Sequence, residues 1–269
     1  MFDEQKYIEE LRMLVNTDSG TYSIGGVNVI GDFFEERFKG LGWSVRRVSL
    51  SDQIGDLLDI CSHDAQHYDV LLLGHMDTVF PDGTAKIRPF TIEDGRAYGP
   101  GVADMKCGVL AIWHAIKELP ANAKKLAIRV ILNPDEEIIS LYSTDYIAQA
   151  AAVATHVFVM EPAMSDGGFC IERKGKIEFK FAFTGIPTHA GYIFERKNAS
   201  AIYEMAHWIM ALMALSNQEK GTTVNIGRIE GGVAENIVAE KASMSMEFRM
   251  WETLEAERVK AAVSSMLER

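Results

Sequence analysis

The chain has 269 residues and a net charge of −11, with 24% charged and 48% hydrophobic residues, proportions that suit a globular protein large enough for two domains. The acidic balance argues against nucleic acid and anionic membranes as partners, and no run approaches the roughly 20 apolar residues that span a bilayer. The opening MFDEQKYIEELRMLVN reads as a polar amphipathic helix without an apolar leader, and the odd, widely spaced Cys61, Cys107 and Cys170 read as reduced thiols; both point to the cytoplasm.

From there the pattern alternates strand and helix. A helix, GVNVIGDFFEERFKGLG, is followed by the strands WSVRRVSL, DLLDICS and DVLLLGH. A Gly/Pro loop leads to a helix, MKCGVLAIWHAIKEL, and two more strands lie in AIRVILNPDEE and HVFVME. DVLLLGH, AIRVILNPDEE and HVFVME are continuously apolar, as strands of a parallel sheet covered on both faces are. After about Arg173 the periodicity changes. KIEFKFAFTG alternates, with Ile177, Phe179, Phe181 and Phe183 on one face. An apolar helix, ASAIYEMAHWIMALMALSN, comes next, and its Met205, Met210 and Met213 read as core or interface packing. The strands TTVNIGRIEG and KASMSMEFRM and a final helix from Thr253 complete the order β-α-β-β-α, one strand short of the split βαββαβ sandwich. The expectation is therefore an α/β protein: a mostly parallel sheet flanked by helices over residues 1–173, and a ferredoxin-like α+β unit over 174–269.

The three apolar strands end at His75, at Glu136–Glu137 and at Glu161, and the ligand crevice of an open α/β sheet lies beyond such strand ends. Asp77, two residues after His75, can take the other imidazole N–H and fix its tautomer. Asp104 follows the loop YGPGVA at a helix start, where it could equally be an N-cap. Taken singly, His75 could be a surface residue and the Glu pair a solvated acidic turn. Together, one His and four carboxylates at strand ends need charge compensation that cations readily supply.

The ordered motifs GHMDTVFP, GPGVADMK, DEE and MEP resemble those of the co-catalytic zinc metallopeptidases, the family of glutamate carboxypeptidase, aminoacylase, acetylornithine deacetylase and succinyl-diaminopimelate desuccinylase. The resemblance runs over nearly the whole chain. It implies a metal-dependent hydrolase acting on the amide bond of small peptides or N-acyl amino acids. His75 and Glu161 would hold one Zn²⁺, Asp104 would bridge to a second, and Glu137 would bind that second ion; Co²⁺ or Mn²⁺ could substitute. Glu136 would be the general base and Asp77 would orient His75. In the same comparison the second unit is a lid that dimerises, and GIPTHAGYIFERKNA resembles the lid motif. His189 would reach a partner subunit's active site, and Asn198 and Arg249 would contact substrate, Arg249 through a carboxylate. Read without the resemblance, His189 is a surface His and Arg249 a solvent-facing charge beside Ser243, Ser245 and Glu247.

Three departures stand out. Cys107 and Ile139 replace glycines usual in the family, which could crowd the helix at Asp104 and shift the Glu136–Glu137 turn. The family's late segment, with a His completing the second metal site, has no counterpart before Arg269. The expectation is a truncated chain that hydrolyses poorly, and the alternative is a non-catalytic dimeric metal- or ligand-binding remnant.

Overall fold

The computed structural model describes residues 2–267, so the expectation about the chain's end at Arg269 lies outside the described residues. The chain forms two compact units, Met1–Gly168 and Phe169–Arg269.

In the first unit, α1 (Glu4–Val15) is capped by Asp3, whose carboxylate accepts the Lys6 N–H at 3.0 Å. α2 (Ile24–Gly40) ends where Gly42 takes φ +79°, a left-handed turn open to glycine. Strands β1 (Ser44–Val48), β2 (Leu57–Cys61) and β3 (Tyr68–His75) follow, then a single helical turn, α3 (Thr84–Ile87). A small hairpin pairs β4 (Thr91–Glu93) with β5 (Arg96–Tyr98) through Asp94–Gly95, both at positive φ. The unit closes with α4 (Cys107–Lys117), β6 (Ile128–Asn133), α5 (Thr144–Ala152) and β7 (Ala154–Val159).

The sheet order is β1-β2-β6-β3-β7. β3 pairs in parallel with both β6 and β7, while β2 is antiparallel to β1 and β6, so only β2 runs against the others. Alternate side chains serve two layers. Leu58, Ile60, Val130 and Leu132 pack with α1, α2 and α4 on one face; Leu57, Leu71 and Ile131 pack with α5 on the other. Glu10 of α1 ties this layer together, accepting from Arg37 of α2 at 3.0 Å and lying 2.7 Å from His114 of α4. Phe38 is fully buried, edge-on to Trp113 at 5.5 Å and tilted against Trp43. Phe38→Ala is expected to destabilise the unit by about 3–5 kcal/mol, a Tm loss of roughly 6–20 °C in thermal unfolding. A loss below 1 kcal/mol would show that this aromatic cluster is peripheral to stability.

β7 departs from its reading as a strand covered on both faces. It is the last strand of the sheet, and Val157, Phe158 and Val159 are 41%, 53% and 58% exposed. Apolar composition alone does not tell an edge strand from a central one.

The second unit follows the predicted β-α-β-β-α order: β8 (Gly175–Thr184), α6 (Ala201–Met213), β9 (Thr223–Gly231), β10 (Lys241–Met250) and α7 (Thr253–Leu267). Its antiparallel sheet has the order β8-β10-β9. Every second residue of β10 is buried: Ala242, Met244, Met246, Phe248 and Met250. They meet Ile177, Phe179, Phe181 and Phe183 of β8, Met205 and Leu212 of α6, and Val259 and Val263 of α7. Met205 belongs to this core, but Met210 and Met213 do not, being 73% and 43% exposed. Among the described residues no helix is long and apolar enough to cross a membrane, and Cys61, Cys107 and Cys170 are all free thiols.

Candidate active site

The carboxyl ends of β3, β6 and β7 bring their sequels together. His75, the last residue of β3, is 1% exposed, and its backbone N–H points to the Met105 sulfur at 3.2 Å. Asp77 lies behind it, fully buried, with its backbone carbonyl 3.0 Å and its Oδ1 3.2 Å from His75 Nδ1. That side of the ring is therefore committed to Asp77, and Nε2 faces the carboxylates. Asp104 Oδ1 is 3.0 Å from Nε2, Glu161 Oε1 3.5 Å and Glu136 Oε2 4.0 Å. A buried imidazole thus forms the floor of a rim of carboxylates, with Asp104 59% and Glu136 47% exposed.

Local backbone explains why these groups converge. Gly101 takes φ +70° just before Asp104, and a Cβ there would lie 2.5 Å from the Thr78 side chain. Asp104 interrupts the wide turn Val102–Lys106 with extended φ/ψ of −118° and 97°, so it is not the cap of α4. Cys107 opens α4 at helical φ −66° and ψ −39°, so the thiol is accommodated without disturbing the helix. Gly108 brings α4 against the chain leading to Glu161, since a Cβ there would sit 2.0 Å from the Met160 carbonyl oxygen. Glu136 and Glu137 occupy a 3-10 turn after β6, and both their backbone N–H groups donate to the Asp77 carboxylate, at 3.1 and 3.2 Å. Ile139 follows at φ +66° and Ser140 at φ +48°, so the missing glycine is replaced by a β-branched residue in a left-handed backbone.

The charges are poorly balanced by the protein itself. Burial disfavours protonated His75, but hydrogen bonds to Asp77 and Glu161 outweigh it and push the imidazole up to about 11. Burial and the Asp104 charge push Glu137 up to about 7. Burial also raises Glu136, against the opposing pull of His75. Two sets of ligand atoms come within 4.8 Å of one another: His75, Asp104 and Glu137, and His75, Glu136 and Glu161. Asp104 and Glu161, expected together with His75 at one ion, fall in different sets. This oxygen-rich donor set with one imidazole fits a divalent cation of the Zn²⁺, Co²⁺ or Mn²⁺ type, whose charge would relieve the carboxylate repulsion.

Of the nine residues singled out in the sequence, the structure gathers His75, Asp77, Asp104, Glu136, Glu137 and Glu161. His189, Asn198 and Arg249 belong to the second unit. His189 Nδ1 accepts the Gly191 N–H at 3.0 Å, leaving the proton of a neutral ring on Nε2. The Asn198 amide donates to the carbonyls of Ile193 and Arg196, and Arg249 Nε donates to Glu247 at 2.8 Å on the polar face of β10.

Sequence reasoning missed several supports. Thr21 donates its hydroxyl to Asp77 Oδ2 at 2.7 Å from far along the chain. Lys106, 2% exposed, donates to the Thr17 carbonyl at 2.8 Å and ties the Asp104 turn to the loop that carries Thr21. Asp135, the first residue of the DEE motif, is fully buried, which the motif alone does not signal.

Comparison with known proteins identifies relatives of the chain. The chain is 31% identical to carboxypeptidase G2 of Pseudomonas sp. (strain RS-16) over 252 residues, 92% of this chain and 60% of the relative. It is 27% identical to acetylornithine deacetylase of Myxococcus xanthus, covering 81% of this chain and 60% of the relative. It thus spans about 60% of the length of these relatives. A tripeptidase structure from Staphylococcus aureus superposes with a TM-score of 0.76 at 23% identity, over 100% of this chain and 71% of that one, which shows the shared fold. The sequence pattern of peptidase family M20/M25/M40 matches residues 71–261, a span that holds all six clustered residues, and the chain belongs to that family.

Proposed function

We propose that this chain carries the metal centre and lid of a metal-dependent hydrolase that cleaves the amide bond of a small peptide or an N-acyl amino acid. The observation that carries the reading is the buried His75, backed by Asp77 and faced by Asp104, Glu136, Glu137 and Glu161. His75 and Glu161 would hold one divalent cation, Glu137 a second, and Asp104 both. Bound there, such cations activate water and polarise a carbonyl. Glu136 takes the proton from the attacking water and returns it to the leaving amine. Asp77 holds His75 in one tautomer and, through the backbone N–H groups of Glu136 and Glu137, keeps base and ligand in register with it.

In this reading residues 1–173 form the catalytic part and 174–269 a lid that also pairs two copies in a cytoplasmic homodimer. Ile202, Tyr203 and Met210 of α6, at 41%, 67% and 73% exposure, support the pairing. His189 would offer its Nε2 proton to the developing oxyanion in a partner subunit's active site, and Asn198 and Arg249 would contact substrate, Arg249 through a carboxylate. The test combines metal content with hydrolysis of a panel of dipeptides, tripeptides and N-acyl amino acids by the Zn²⁺-loaded full-length protein. Turnover of at least one class, abolished by chelation, is expected. Stoichiometric metal without turnover of any substrate would instead favour a metal- or ligand-binding protein.

A further inference from the structure

Resting on the assignment of Glu136 as base and Glu137 as ligand, we propose that Asp135 is a positioning residue whose carboxylate clasps the loop 135–143 shut and thereby holds both glutamates at the end of β6. Asp135 is fully buried. It accepts the Ser143 hydroxyl at 2.5 Å, the Ser143 N–H at 3.2 Å, the Tyr142 N–H at 2.7 Å and the Asn133 amide at 3.3 Å. These donors satisfy a carboxylate that burial would otherwise penalise heavily.

Both ends of the clasp are anchored. Asn133 stands opposite His75 in the parallel ladder, and its carbonyl accepts the Met76 N–H at 2.9 Å. Its amide also reaches the hydroxyls of Ser140 and Ser143, each at 3.2 Å. Ser143 precedes α5, where its hydroxyl could have capped the helix, yet it makes no capping bond and gives its proton to Asp135 instead.

Between these anchors the chain must reverse, and it does so through Ile139 at φ +66° and Ser140 at φ +48°. A β-branched residue resists that backbone, because its Cβ crowds the following carbonyl. Left to itself the segment would relax toward right-handed or extended backbone and carry the Glu136–Glu137 turn with it. The clasp therefore opposes a local strain, and the strain predicts a specific rescue. Glycine at position 139 adopts the same backbone freely, so a loop with Ile139→Gly should hold its shape without the clasp.

The experiment titrates the full chain with Co²⁺ and reads affinity and the visible absorption of the bound ion, which reports coordination geometry. Asp135→Asn is expected to weaken Co²⁺ binding by about 10–100-fold, the range seen when an outer partner of a metal ligand is lost, and to alter the spectrum. Ser143→Ala, which removes a single clasp bond, should shift both in the same direction and by less. The double variant Asp135→Asn/Ile139→Gly should recover much of the affinity and the original spectrum. Glu137→Ala separates the two levels of argument. If it leaves Co²⁺ binding unchanged, the ligand assignment fails, and the proposal with it. If Glu137→Ala weakens binding while folded Asp135→Asn and Ser143→Ala do not, the clasp alone is refuted. A weakened Asp135→Asn that Ile139→Gly does not rescue refutes the strain-opposing role.

Discussion

Glu136→Gln is expected to keep its metals and lose turnover by about 10²–10⁴-fold, the usual worth of a general acid–base group. The substitution preserves the size of the side chain and removes only its ability to take a proton. The position of Glu136 suits the part. Its carboxylate stands 4.0 Å from His75 Nε2, close to the metal ligands yet 47% open to solvent, so that water can reach it. Burial raises its proton affinity above that of an ordinary glutamate, which brings it nearer the working pH of a base. The acid limb of the kcat/KM profile should disappear in the variant. Turnover within threefold of the wild type, with metal content unchanged, would move the base elsewhere.

His75→Ala is expected to weaken divalent-metal binding by more than about 100-fold, since even an outer-shell partner is worth about 10–100-fold. The same residue governs the pH dependence. In the metal-free chain His75 is raised from 6.5 to about 11 and Glu137 from 4.5 to about 7. Both folded values exceed the unfolded ones, so the protonated forms favour the folded, metal-free state. That contribution is complete at low pH and lost as pH rises, between 4.5 and 7 for Glu137 and between 6.5 and 11 for His75. A cation takes the place of those protons. Its affinity should therefore climb by about two logarithmic units per pH unit below 7, where both protons are displaced, and by about one above it. The rise in Tm on adding Zn²⁺ should be larger at pH 8 than at pH 5.5. A flat or reversed trend would show that His75 and Glu137 do not meet the metal.

Much of this site is legible in the sequence because parallel strands deliver their C-terminal neighbours to one edge of the sheet. His75, Glu136, Glu137 and Glu161 each follow an apolar run, and the strand rule alone places them together. The alternation of Phe179, Phe181, Phe248 and their neighbours is equally direct, since one face of the second sheet is covered by helices and the other is not. What the pattern hides is of three kinds. Thr21 meets Asp77 across a separation of 56 residues, and no local spacing signals a contact of that range. The exposure of β7 depends on what lies beside it, not on its own composition. The left-handed backbone of Ile139 contradicts the preference of the residue that adopts it, as happens where surrounding contacts overrule propensity.

The methionine-rich packing of the second unit has a consequence for its chemistry in oxidising conditions. Met205, Met244, Met246 and Met250 are 2–4% exposed, while Met13 of α1 is 48% exposed. Peroxide should convert Met13 to the sulfoxide quickly and reach the inner four only when the unit opens. A polar, chiral sulfoxide does not fit among Phe179, Phe181 and Phe248, so each oxidised molecule would be trapped open. The inner methionines thus act as recorders of transient opening, and the lag between their oxidation and that of Met13 measures how often this sheet and its helices part.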